Sequence, residues 1–159
     1  MIILFFGQPA SGKTTIADLF CEKIQNEGDY FYDFVRIDGD KWRDITKNVD
    51  YSKEGRLRNL KGAFDMALYL EREDFMPVLS FVTPYEDLRN YLKQNSKDCV
   101  LIYLKYSEDR GRNMKFANDF EEPTGCNLIL ETSEIGVKDC VNKVIEIFKQ
   151  NYFKNGKVE

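Results

Sequence analysis

The sequence predicts an α/β fold in which a five-stranded, mainly parallel sheet carries helices on both faces. Three observations predict it. Short apolar runs alternate with longer stretches whose apolar residues recur every three or four positions, the pattern of strands joined by crossover helices. The run ending at Phe81-Val82 is nearly all apolar, as a central strand covered on both sides must be. The first apolar run, Ile2-Ile3-Leu4-Phe5-Phe6, leads through a glycine-containing turn straight into a helical pattern.

In chain order, the strand over 2–6 precedes a helix over 13–26 with Ile16, Ala17, Leu19, Phe20 and Ile24 on its apolar side. A strand over 34–37 runs into Asp38-Gly39-Asp40. The helix over 55–73 sets Leu57, Leu60, Phe64, Ala67 and Leu68 at helical spacing, which is core packing without chemistry. A strand over 77–82, a helix over 85–95 and a strand over 99–104 come next. A strand over 127–131 and a helix over 135–150, striped by Val137, Val141, Val144, Ile145 and Phe148, complete the set. Residues 107–124, polar and rich in both charges, form a long connection between two strands. Such a segment is a functional lid or a solvated loop. Its Arg110, Arg112 and Lys115 suit a lid over nucleotide phosphates.

With 159 residues the chain fits one domain, placed at 1–153 with a loose charged tail over 154–159. It is 43% hydrophobic and 31% charged, which is ordinary globular composition. A net charge of −4 argues against a general nucleic-acid or membrane-surface role. Four dispersed cysteines without C-x-x-C spacing, and no histidine, give zinc sites and imidazole bases little to build on. Scattered thiols, no basic leader before the first strand and no membrane-length apolar stretch make the expected compartment cytoplasmic.

The turn after the first strand reads Gly7-Gln8-Pro9-Ala10-Ser11-Gly12-Lys13-Thr14-Thr15. This is G-x-x-x-x-G-K-[ST] between a strand and a helix, the setting that gives the motif its meaning. The glycines let consecutive N–H groups converge on one oxyanion, and the new helix adds its positive dipole end there. Lys13 is then placed for the β- and γ-phosphates of ATP, and the Thr14 hydroxyl for the bridging Mg²⁺. Pro9 removes one amide donor from the cradle. A glycine turn that only caps a helix is the plain alternative, and the Lys-Thr pair with both flanks argues against it. The candidate ATP site comprises residues 7–15 with Arg110 and Arg112 of the lid.

Ligands on open parallel sheets sit beyond the carboxyl ends of the strands, so Asp38 and Asp40 are expected to face this loop. Without histidine, a carboxylate is the base available to an attacking hydroxyl. Asp38 is the first choice, also on the metal side, with Asp40 assisting; a plain Asp-Gly-Asp turn remains the alternative. A third cluster holds Tyr51, Ser52, Arg56, Arg58, Asn59 and Lys61. Two guanidiniums can clamp a phosphate or sulfate, although, taken alone, a solvated basic helix face is the better explanation of the cluster.

Taken in order, GQPASGKTT at 7–15, DGDKWR at 38–43, YSKEGRLRN at 51–59 and VTPY at 82–85 resemble adenylyl-sulfate (APS) kinase. That family runs from a P-loop through D-G-D-x-x-R, F-S-x-x-D-R-x-x-N and I-S-P-Y to a lid. The resemblance implies a P-loop kinase in which Mg-ATP phosphorylates the ribose 3′-hydroxyl of a small nucleotide with a modified 5′ phosphate. Carried over by position, Gly12, Lys13, Thr14 and Thr15 hold ATP and Mg²⁺, while Asp38 and Asp40 serve the metal and the hydroxyl. Arg43, Arg56 and Asn59 grip the anionic 5′ group, Tyr51 stacks on the base, and Phe81, Val82 and Thr83 line the substrate. Phe116 is the second stacking ring, opposite Tyr51.

Departures from the family pattern are Gly55 for an aspartate, Thr83 for a serine, Glu86 for an arginine, and a compressed lid. They leave two substrates in view. One is adenylyl sulfate; the other is cytidine diphosphoramidate, used by a related kinase in decorating capsular polysaccharide. A P-loop kinase of a sugar, polyol or antibiotic, and a non-catalytic nucleotide-binding module, are the rivals outside the resemblance. The expected partner is a small nucleotide, not nucleic acid or membrane, and a homodimer is left open.

Overall fold

A computed structural model describes residues 1–28, 33–106 and 116–154. The order is β1 (Ile2–Phe6), α1 (Lys13–Glu27), β2 (Phe34–Asp38), α2 (Gly39–Thr46), α3 (Lys53–Arg72), β3 (Met76–Phe81), α4 (Glu86–Asn95), β4 (Cys99–Lys105), β5 (Leu128–Glu131) and α5 (Val137–Lys154). The strands form one sheet in the order β2-β3-β1-β4-β5, and every pairing is parallel. β1 lies in the middle, and its five residues are fully buried, which is why it reads as an unbroken apolar run.

Alternation along each strand divides the core in two. Ile3 and Phe5 of β1 face α1 and α5, where Phe20 and Phe148 meet edge to face at 5.4 Å. Ile2, Leu4 and Phe6 face the other way, onto Leu60, Ala63, Phe64, Ala67 and Leu68 of α3. Helices therefore cover both sides, as the sequence predicts. The expected α5 stripe is buried at Val141, Val144, Ile145 and Phe148, whereas Val137, the helix's first residue, stays exposed.

The element that periodicity did not predict is α2. It is eight residues long and buries none of them, so it carries no apolar stripe to read. It is started instead by Asp38, whose side chain accepts from the Asp40 and Lys41 amides, a helix N-cap. Asp38-Gly39-Asp40 is thus a strand end passing into a helix. α5 continues to Lys154, one residue into the expected tail. The remaining tail, together with Arg110, Arg112 and Lys115 of the expected lid, lies outside the described residues.

Candidate active site

The turn between β1 and α1 is built around close approach and left-handed backbone. Gly7 sits where any Cβ would collide with the Leu104 carbonyl of β4, and its N–H donates to Val82 O at 3.3 Å. Gly12 takes φ 91° and caps α1 without a side-chain bond, and the first turn of α1 has no acidic residue. A helix start without a side-chain cap or an acidic residue suits an anion, as a phosphate cradle requires. Lys13 Nζ rests on Gln8 O at 2.7 Å and on Ser11 Oγ at 3.4 Å.

Thr14, one step into the helix, donates its hydroxyl to Asp38 Oδ2 at 2.7 Å. Ser80 Oγ donates to the same oxygen, also at 2.7 Å, while Oδ1 accepts the Asp40 and Lys41 amides at 3.1 and 3.4 Å. The Asp38 carboxylate is therefore held on both oxygens. Burial works to raise its pKa, but the Thr14 and Ser80 hydroxyls and the two amides outweigh it and hold the carboxyl below its ordinary value. Beneath it in the same register, Arg36 donates to Ser80 Oγ at 3.0 Å, to Val78 O at 2.6 Å and to Asp18 at 2.8 Å. Ser80 accepts from Arg36 and so points its own proton at Asp38.

Arg36 and Ser80, which support the Asp38 carboxylate, are positions that motif reading missed. Their pairing follows from the β2–β3 register, which places residues 36 and 38 beside 78 and 80; two-residue alternation is the signal that could have found them.

Across from the loop, Arg43 donates to Asn48 O, Asn48 Oδ1 and Asp50 O at 3.0–3.2 Å, and its guanidinium lies 4.3 Å from the Tyr51 ring centre. Arg56 donates to Tyr51 O at 3.0 Å and to Phe116 O at 3.3 Å, with its guanidinium 5.6 Å from the same ring. Burial pushes Arg43 below the usual arginine value, and the neighbouring Arg56 cation adds to that shift. Two partly desolvated cations beside one ring call for an anion. Gly55, where the family pattern has an aspartate, has its Cβ position taken by the Asp50 carboxyl, which also accepts from Ser52 N and Arg58.

These parts share one cavity of about 650 Å³, lined by Pro9, Ala10 and residues 12–15, by Asp38 and Asp40, by Arg43, Tyr51, Arg56 and Asn59, and by Phe81, Val82 and Thr83. Asn59 Oδ1 and Thr83 Oγ1 are buried without a hydrogen-bond partner among the described residues, a costly state unless a ligand or water completes them. Thr83 also holds φ 42°, an uncommon conformation for a β-branched residue.

Among the described residues, four expected site residues do not line the cavity: Gly7, Gln8, Ser11 and Phe116. The Gln8 side chain turns to the backbone of Ala117 and does not line the cavity. Phe116 does not line it either; the residue stays 46% exposed while its carbonyl is held by Arg56. Glu86 accepts from Thr124 N and Thr124 Oγ1 and is likewise absent from the lining.

The residues fit a magnesium-bound triphosphate. The uncapped start of α1 suits phosphate oxygens, and Thr14, with its proton directed at Asp38, presents its lone pairs to a hard cation.

A profile of the family described as Adenylylsulphate kinase matches residues 1–115. The Aeropyrum pernix protein named probable adenylyl-sulfate kinase is 35% identical over 94% of this chain and 92% of its own length. The crystal structure of APE1195 superposes with a TM-score of 0.82 at 28% identity, covering 94% of this chain and 95% of that one. The Mycobacterium tuberculosis APS kinase in complex with AMPPNP and APS has the same fold, with a TM-score of 0.80 over 93% of this chain and 96% of that chain, at 17% identity. With the P-loop, the paired aspartates and the guanidinium clamp opening on one cavity, this chain belongs to the adenylylsulphate kinase family of ATP- and Mg²⁺-using P-loop kinases.

Proposed function

We propose that this protein transfers the γ-phosphoryl group of Mg-ATP to the ribose 3′-hydroxyl of adenylyl sulfate. One observation carries the reading: the cavity that Lys13 and Thr14 line is also lined by Asp38, Asp40, Arg43, Tyr51, Arg56 and Asn59. Donor and acceptor then meet without a covalent enzyme intermediate, and catalysis is positioning and charge neutralisation.

The Lys13 ammonium exchanges its loop acceptors for phosphate oxygens, which bind it more strongly because they are charged. When bound, Mg²⁺ neutralises charge on the β- and γ-phosphates. Asp38 stays ionised, orients the Thr14 hydroxyl and caps α2. That occupation makes it a poor proton acceptor, so the role of base passes to Asp40. Asp40 lies exposed in the first turn of α2 and lines the cavity. As the 3′-oxygen bonds to the γ-phosphorus, the bond to the β–γ bridging oxygen breaks, ADP leaves, and the hydroxyl proton goes to Asp40. Arg43, Arg56 and Asn59 hold the anionic 5′ group, and Tyr51 gives the base a flat partner.

The case for cytidine diphosphoramidate drew on the compressed lid and on the change of an arginine to Glu86. Its carboxylate is engaged by Thr124, so adenylyl sulfate is the reading with support from family membership. The test is product analysis after incubation with Mg-ATP and adenylyl sulfate. A new phosphorus resonance coupled to the ribose H3′ is expected. Phosphate on another atom, or ADP formed without any acceptor product, overturns the proposal.

A further inference from the structure

The Gln8 side chain turns from the phosphate loop and pairs with both backbone groups of one residue in the segment that follows residue 115. Its Nε2 donates to Ala117 O at 2.8 Å, and its Oε1 accepts from Ala117 N at 3.1 Å. A primary amide matched to both groups of one residue fixes distance and orientation together. The adjoining residue is taken from the acceptor side, where Phe116 O accepts from Arg56 Nη2 at 3.3 Å. Further along, Glu121 N donates to Pro84 O at 2.8 Å, and the buried Arg89 bridges Thr83 O and Glu121 O at 2.9 and 2.8 Å. Phosphate loop, acceptor clamp and the β3–α4 junction thus hold one strap of chain.

The P-loop pattern leaves the second position open to any residue, so phosphate binding gives no reason for a glutamine there. Gln8 does not line the cavity, whereas Pro9 and Ala10 beside it do. We infer that Gln8 is a positioning residue for the acceptor: it fixes Phe116-Ala117 against the phosphate loop, so that Phe116 O orients the Arg56 guanidinium toward the acceptor's anionic group. The inference rests on the reading of Arg56 as an acceptor ligand. It separates Gln8 from the rest of the loop, whose backbone serves ATP.

The test compares wild type with Gln8→Ala and Gln8→Glu by three measurements. These are hydrogen exchange at the Ala117 amide, calorimetric affinity for Mg-AMPPNP, and the KM for adenylyl sulfate. Losing both bonds in Gln8→Ala is expected to speed Ala117 exchange and raise the acceptor KM, each by roughly tenfold. Nucleotide affinity is expected to stay within about twofold, since backbone amides make the cradle. Gln8→Glu keeps the acceptor for Ala117 N and sets an anion against Ala117 O, so an intermediate result is expected; it also serves if Gln8→Ala fails to fold. Unchanged Ala117 exchange or unchanged acceptor KM overturns the inference, as does an equal loss of nucleotide affinity. If wild type does not phosphorylate adenylyl sulfate, the proposed function fails, while Ala117 exchange still decides whether Gln8 holds the strap.

Discussion

Asp38 shows how far a single carboxylate can be committed before any ligand arrives. It caps α2, receives the Thr14 and Ser80 protons, and sits above Arg36. Asp40→Asn is expected to lower kcat by roughly 10²- to 10⁴-fold with nucleotide affinity kept, whereas Asp38→Asn is expected to weaken Mg²⁺-dependent nucleotide binding. Calorimetry at varied Mg²⁺ beside initial rates separates the two. Lys13→Ala is expected to cost at least about a thousandfold in turnover. The pH dependence follows in sign. Asp38 is held below its ordinary value of 3.8, so its stabilisation is present above that value and is lost as pH falls through the lower folded one. Asp38→Asn is expected to destabilise at neutral pH and to flatten the acid limb of the unfolding curve. The P-loop lysine and threonine and the aspartate pair were legible as motifs. The Arg36–Ser80 support was not, because its partners are 42 and 44 positions apart and meet only across the sheet.

At the scale of elements, the strands and four of the helices could be read from their apolar residues, of which each buries at least one. α2 buries nothing and is set by its cap, so periodicity passed over it. α3 begins at Lys53 rather than 55, with Ser52 accepting from Gly55 N at 3.1 Å. This local start explains the glycine that departs from the family pattern. A side chain at 55 would collide with both the Asp50 carboxyl and the Asp50 backbone carbonyl. Gly55→Ala is accordingly expected to destabilise the protein by about 1–3 kcal/mol. Asp50→Gly in the same chain is expected to recover only part of that loss, because the Asp50 backbone carbonyl crowds the same position; the recovery is measured as the coupling in a double-mutant cycle by chemical denaturation.

For the whole molecule, topology decides what can meet. β1 at the centre carries the phosphate loop from its carboxyl end, and the parallel β3 beside it and β2 beyond end at the same edge. The phosphate loop and the proposed acceptor residues are thereby brought to one cavity. The sequence order of motifs made that convergence legible; the orientation of individual side chains, Gln8, Phe116 and Glu86 among them, depended on contacts no motif records. The most direct measurement is ADP release by the wild-type protein with Mg-ATP, alone and with adenylyl sulfate or cytidine diphosphoramidate added, with Lys13→Ala as the control. The account predicts that adenylyl sulfate stimulates release most strongly and that Lys13→Ala abolishes the stimulation. ADP release that no acceptor increases, or that cytidine diphosphoramidate increases more, would contradict it.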